Sequence, residues 1–129
     1  MAKILVVEND LALRILVTQL LELEGYTVVA AENGAVALEF VENEPPDLVL
    51  CDLLMPEVDG YQVLHRLMQN PLTASIPLIF LTASALPSDR EYCLENGAKG
   101  FMTKPFHHLE LLDLISNLLP EPNVSVPNL

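Results

Sequence analysis

The chain has 129 residues, 51% of them apolar, with 6 Lys and Arg against 18 Asp and Glu and a formal charge of −12. That length makes one domain with a full hydrophobic core. The charge repels nucleic acid and anionic membrane, and charges interrupt every apolar run short of the ~18 residues of a membrane span, so neither DNA binding by this domain nor a membrane span is expected.

Met1-Ala2-Lys3 followed at once by a strand pattern is no signal peptide, which predicts a cytoplasmic protein. The first strand is Lys3–Val7, broken by Glu8-Asn9-Asp10. Residues 11–24 carry a helical stripe, Leu13, Leu16, Val17, Leu20 and Leu21, and Gly25 stops the helix. The second strand is Tyr26–Ala31. Asn33-Gly34 opens a helix to about Val41, and Pro45-Pro46 closes the connection. The third strand, Asp47–Cys51, delivers Asp52 to its end. Asp59 caps a helix that runs to about Gln69 with Val63, Leu64 and Leu67 inward. A loop over 70–75 leads to a fourth strand, Ile76–Leu81, ending at Thr82. The helix over about 88–96 has a weak apolar stripe, and Gly97 closes it. The fifth strand, Lys99–Thr103, ends at Lys104-Pro105, and the last helix, about 109–119, is strongly apolar. The tail from Pro120, with three prolines in ten residues, is a flexible tail or linker, fitting either a single-domain protein or a piece of a longer one.

Five short apolar strands alternating with five helices predict an α/β fold, a parallel sheet covered on both faces. Right-handed crossovers leave the flavodoxin-like, doubly wound order 2-1-3-4-5 as the commonest solution. Ligands then bind beyond the carboxyl ends of the strands, near the switch point between strands 1 and 3. Glu8, Asn9, Asp10, Asp52, Thr82 and Lys104 follow strand ends there. Acids and an amide oxygen attract a hard divalent ion such as Mg²⁺. A carboxylate is a nucleophile toward phosphorus, and a lysine and a hydroxyl neutralise and bond the incoming oxygens.

Val6-Val7-Glu8-Asn9-Asp10, Asp52-Leu53-Leu54-Met55-Pro56 with Asp59-Gly60, Leu81-Thr82-Ala83, Gly97-Ala98 and Lys104-Pro105-Phe106 occur in this order and spacing. Through them the chain resembles, from Lys3 to about Leu119, the receiver domain of two-component response regulators. The resemblance implies a receiver over 1–119, with Asp52 as phosphoacceptor, Lys104 as the phosphate-contacting lysine and Thr82 as the switch hydroxyl. It implies Mg²⁺ held by Asp52, Asn9 and the Leu54 backbone carbonyl, with Glu8 acting through water. Phe101 matches an aromatic that swings inward as Thr82 moves, and Lys104–Pro105 is expected to be cis. The implied partners are a histidine kinase or histidine phosphotransfer protein upstream, and downstream a protein partner or effector domain that reads the face of helix 4, strand 5 and helix 5. The apolar last helix also suits a homodimer. Apart from phosphorylation and dephosphorylation of its own Asp52, no enzyme activity is implied.

Two departures from the family pattern carry expectations. Asn9 stands where a second acid is usual, which weakens Mg²⁺ binding unless Asp10 substitutes. Leu54 cannot orient a water, which predicts slow self-dephosphorylation.

Plainer roles compete for each residue: Asp52 as a helix-capping or solvated acid, Lys104 as a surface lysine, Thr82 as a strand end, Phe101 as a core aromatic, Glu8 and Asp10 as first-turn acids. His65, His107 and His108 read as solvated, Glu57 as a rim acid, and Cys51 and Cys93 as buried small hydrophobes. The alternative function is a receiver-like interaction module that works without phosphorylation. A flavodoxin-like electron carrier needs a Ser/Thr/Gly loop where Glu8-Asn9-Asp10 stands, and a haloacid-type phosphatase needs an acid where Leu54 stands.

Overall fold

The computed structural model describes residues 2–119; the tail expected at 120–129 lies outside them. Ten elements alternate: β1 (Lys3–Val7), α1 (Leu11–Leu23), β2 (Thr27–Ala31), α2 (Gly34–Asn43), β3 (Leu48–Cys51), α3 (Gly60–Gln69), β4 (Leu78–Thr82), α4 (Pro87–Glu95), β5 (Gly100–Thr103) and α5 (His108–Leu118). All neighbouring strands pair in parallel, in the order β2-β1-β3-β4-β5, as the alternating pattern predicts.

Successive strand residues face opposite ways, which splits the core in two. Leu5, Val7, Val49, Cys51, Leu78 and Phe80 pack with Ala37, Val41, Val63, Leu64, Leu67 and Cys93, on the side of α2, α3 and α4. Ile4, Val6, Leu48, Leu50, Ile79 and Leu81 pack with Val17, Leu21, Leu111 and Ile115, on the side of α1 and α5. β3 and β4 are buried along their whole length, whereas the edge strand β2 is half-exposed. No helix among the described residues is long and apolar enough to cross a membrane.

Local chemistry sets the element ends. Asp10, Asn33 and Asp59 each cap a helix through a side-chain oxygen, and Asp59 with Gln62 forms a reciprocal capping box. Gly25 and Gly97 take positive φ after α1 and α4.

Several expected bounds move by a residue or two. β2 starts at Thr27 because Tyr26 N–H still bonds the Leu21 carbonyl at the end of α1. β4 starts at Leu78 because Ile76 closes a turn onto the Thr73 carbonyl and Pro77 has no N–H to pair. α4 begins one residue early, with Pro87 in its first turn, where a missing N–H costs nothing. The apolar stripe of α1 is only partly covered: Leu16 is 56% exposed. The buried residues of α1 are Val17 and Leu21, so the face turned to the sheet is narrower than the apolar stripe.

Candidate active site

Strand register builds the site. Val7 pairs with Cys51, so Glu8 and Asp52 leave the sheet side by side. Thr82 pairs with Thr103, so Lys104 follows next to the end of β4. The Asp52 N–H bonds the Val7 carbonyl at 2.9 Å, tying the acid to β1. The guanidinium of Arg14 donates to the Glu8 carbonyl at 2.7 Å and holds the β1–α1 turn from above.

Lys104 Nζ reaches back over this end, 2.9 Å from Glu8 Oε1 and 3.3 Å from Asp52 Oδ2. Both carboxylates are buried, 4% and 6% exposed. Burial raises the Glu8 pKa, as does the Asp52 charge, and these outweigh the pull of Lys104 and the Asp10 N–H. Burial opposes the Lys104 charge, but the two carboxylates win and lift its pKa. With both acids ionised, two anions face one cation, and the cluster holds one negative charge in excess.

Asn9 sits exposed at the mouth. Asp10 is occupied as a cap, its Oδ1 accepting from Ala12 N–H at 3.1 Å. The Leu54 N–H donates to Asp52 Oδ1 at 3.3 Å, while the Leu54 side chain is 55% exposed. Glu57, in the same loop, holds φ 65°, a conformation uncommon for a side chain of its kind. Among the described residues no three His, Cys, Asp or Glu side chains converge as a preformed metal centre. The oxygen set of Glu8, Asp52, the Asn9 amide and main-chain carbonyls is nonetheless the hard, sparse type that suits Mg²⁺ with several waters.

Thr82 is fully buried, and its Oγ1 accepts from Ser84 N–H at 3.2 Å. Phe101 lies inward, 8% exposed, edge to face with Phe80 at 6.4 Å. The Lys104–Pro105 peptide is cis. A groove of about 890 Å³ leaves the site along α1, lined by Leu13, Leu16, Leu20, Lys104 and Phe106. His65, His107 and His108 are exposed, and His107 Nδ1 accepts from Leu109 N–H as the cap of α5. Cys51 and Cys93 are buried.

Residues 4–116 match the response regulator receiver domain. The chain belongs to that family. This receiver is similar to the probable transcriptional regulator ycf29 of Pyropia yezoensis, 38% identical over 117 residues that cover 91% of this chain and 53% of that protein. It is similar also to an uncharacterized 14.6 kDa protein of Leptolyngbya boryana, 40% identical over 112 residues covering 87% and 86%. Among solved structures it resembles the receiver domain of the sensor histidine kinase PA1611 from Pseudomonas aeruginosa PAO1, with a TM-score of 0.83, 31% identity and coverage of 91% and 96%. That structure holds a magnesium ion in its active-site cleft. The receiver spans about half the length of several of the curated relatives it matches.

Sequence inspection missed the direct Glu8–Lys104 pair, the Arg14 brace and the role of Ser84. Ser84 stands two residues past Thr82, the reach of a hydroxyl-capped turn, and that spacing was the available signal.

Proposed function

We propose that Asp52 is the phosphoacceptor of a two-component phosphorelay, charged by a histidine kinase or histidine phosphotransfer protein. What carries the reading is the buried Asp52 carboxylate under Lys104, supplied from 52 residues away in the chain. Membership of the receiver family supports it.

An Asp52 oxygen attacks the phosphorus of the donor's phosphohistidine in line. The phosphorus–nitrogen bond breaks, its electron pair stays on the imidazole, and an acyl phosphate forms on Asp52. Lys104 stays beside the acceptor and neutralises the arriving oxygens. Glu8, Asn9, Asp52 and the Leu54 carbonyl would hold Mg²⁺, which supplies further positive charge against the phosphoryl oxygens; the oxygen donor set and the magnesium of the PA1611 receiver support this. Thr82 exchanges the Ser84 N–H for a phosphoryl oxygen. Phe101 already lies inward, so the movement left to make at that end is Thr82's.

The change is read on the face of α4, β5 and α5 by a downstream partner, an effector domain or a second copy of the receiver. The groove along α1 gives the donor an apolar surface beside Lys104. Residues 1–119 act as the receiver unit in the cytoplasm and 120–129 as its tail or linker. The domain promotes no reaction beyond gain and loss of its own phosphoryl group.

Intact-mass measurement after incubation with a small acyl phosphate, with and without Mg²⁺, tests this. Wild type gains one phosphoryl group and Asp52→Asn gains none. Wild type left unmodified by every donor would overturn the proposal in favour of a receiver-like module that works without phosphorylation.

A further inference from the structure

α4 is held only weakly by apolar packing. Of its residues Cys93 alone is buried, and its N-cap, Leu86, offers no side-chain bond. Its first turn is tied by polar contacts. Asp89 Oδ1 accepts from the Tyr61 hydroxyl of α3 at 2.7 Å, and Oδ2 accepts from the Ser84 hydroxyl. Tyr92, three residues along and therefore on the same face of the helix, meets Tyr61 edge to face at 5.3 Å and 78°. An open notch of about 390 Å³ lies here, lined by Tyr61, Ser88, Asp89 and Tyr92.

The chemistry of this notch suits a cation. Perpendicular tyrosines offer a ring face to positive charge. A carboxylate has about four lone-pair sites, and two neutral hydroxyls use two of them on Asp89. Those hydrogen bonds, Ser84's first and then Tyr61's, hold the Asp89 pKa down, so the group stays anionic. No Lys, Arg or His pairs with it among the described residues. Arg90, its neighbour, turns away to donate to the Phe101 carbonyl at 3.3 Å. Tyr92 is 53% exposed and open to a partner.

We propose that the Tyr61–Tyr92–Asp89 notch binds an arginine side chain of a protein partner. The planar guanidinium stacks on a tyrosine ring and donates to the Asp89 lone pairs left over, a geometry an ammonium cannot match. The net charge of −12 draws such a partner in. Ser84 links this notch to the switch region, since its hydroxyl donates to Asp89 while its N–H donates to Thr82 Oγ1. A guanidinium on the remaining Asp89 lone pairs draws charge from the carboxylate, loosens the Ser84 bond beside it, and so shifts the Ser84 turn and the position of Thr82 with it. Neither step requires Asp52 to accept phosphate, so the two proposals fail separately.

The test is a ¹⁵N NMR titration of the full chain with acetyl-Gly-Arg-Gly-amide and its neutral citrulline counterpart. The arginine peptide is expected to give saturable shifts at Tyr61, Ser84, Asp89, Tyr92 and Thr82, and the citrulline peptide none. Tyr92→Ala, which leaves both Asp89 hydrogen bonds in place, weakens binding by about two- to fivefold. Ser84→Ala keeps binding but silences the Thr82 response. Equal shifts with citrulline, unsaturable shifts scattered over the acidic surface, or undiminished binding by Tyr92→Ala would overturn the proposal.

Discussion

A Cβ placed on Gly60 would stand 2.6 Å from the carbonyl oxygen of Asp52. It would also meet Leu53 Cα and the Phe80 ring, each at 2.7 Å. Gly60 N–H bonds the Leu53 carbonyl at 2.8 Å, so α3 begins in contact with the main chain of the candidate acceptor. Close approach, not an unusual φ, demands glycine here. Gly60→Ala is expected to cost about 1–3 kcal/mol, an overpacking penalty with backbone on one side. Urea denaturation should show a lower midpoint with the slope unchanged.

Lys104→Met leaves Glu8 and Asp52 buried side by side without a cation. Stability at neutral pH is expected to fall, by about 1–3 kcal/mol, the range for stranding a buried group. In a Glu8→Gln background one anion is already gone, so the same change should cost less. A double-mutant cycle with a coupling energy near zero would show that the 2.9 Å pair carries no net interaction.

Asn9→Asp adds a full negative charge at the mouth of the site. Mg²⁺ affinity is expected to rise, by about five- to tenfold for one more charge near the ion in high dielectric. Calorimetric titrations of the two proteins check this, and equal affinities would refute it.

Leu54 presents an exposed hydrocarbon beside Asp52 and cannot hold a water in place. Leu54→Asn is expected to shorten the lifetime of the phosphorylated form by about two- to tenfold, as for one added hydrogen bond to the attacking water. The decay of the phosphorylated mass with time measures it.

Asp89 supplies a pH test of the α3–α4 tie. The hydrogen bonds from Ser84 and then Tyr61 lower its pKa from the ordinary 3.8. The folded-state value thus lies below the unfolded one, so the stabilisation is complete above the unfolded value and is lost as pH falls through the folded one. Wild type should melt above Asp89→Asn at neutral pH, and the gap should close at the acid end of a pH series below about 3.8. A gap that persists unchanged into acid would show that the Asp89 charge contributes nothing.

Much of the site is legible in sequence because four of the candidate residues stand at, or one residue past, the end of an apolar strand. Glu8, Asp52, Thr82 and Lys104 are found that way, and a parallel sheet sends all those ends to one edge. Helix caps are equally local: Asp59 reads as a cap in the sequence, and the structure adds the reciprocal bond from Gln62. Leu16 shows the limit. Its spacing matches the stripe of α1, yet the sheet is wide enough to cover only Val17 and Leu21 fully. Asp10 shows another, since its carboxylate serves as a cap or as a ligand by rotation of one bond, and only the fold shows it on Ala12 N–H.

The linear chain by itself determined the order of elements, the parallel sheet and which residue types reach its carboxyl edge, because periodicity, turn chemistry and strand ends act over a few residues. Tertiary structure decided who pairs with whom: Lys104 with Glu8 as well as Asp52, Arg14 on the Glu8 carbonyl, and Asp89 between Tyr61 and Ser84. Such contacts join residues up to 96 positions apart. Their geometry depends on register and helix placement, which the packing of the whole core sets.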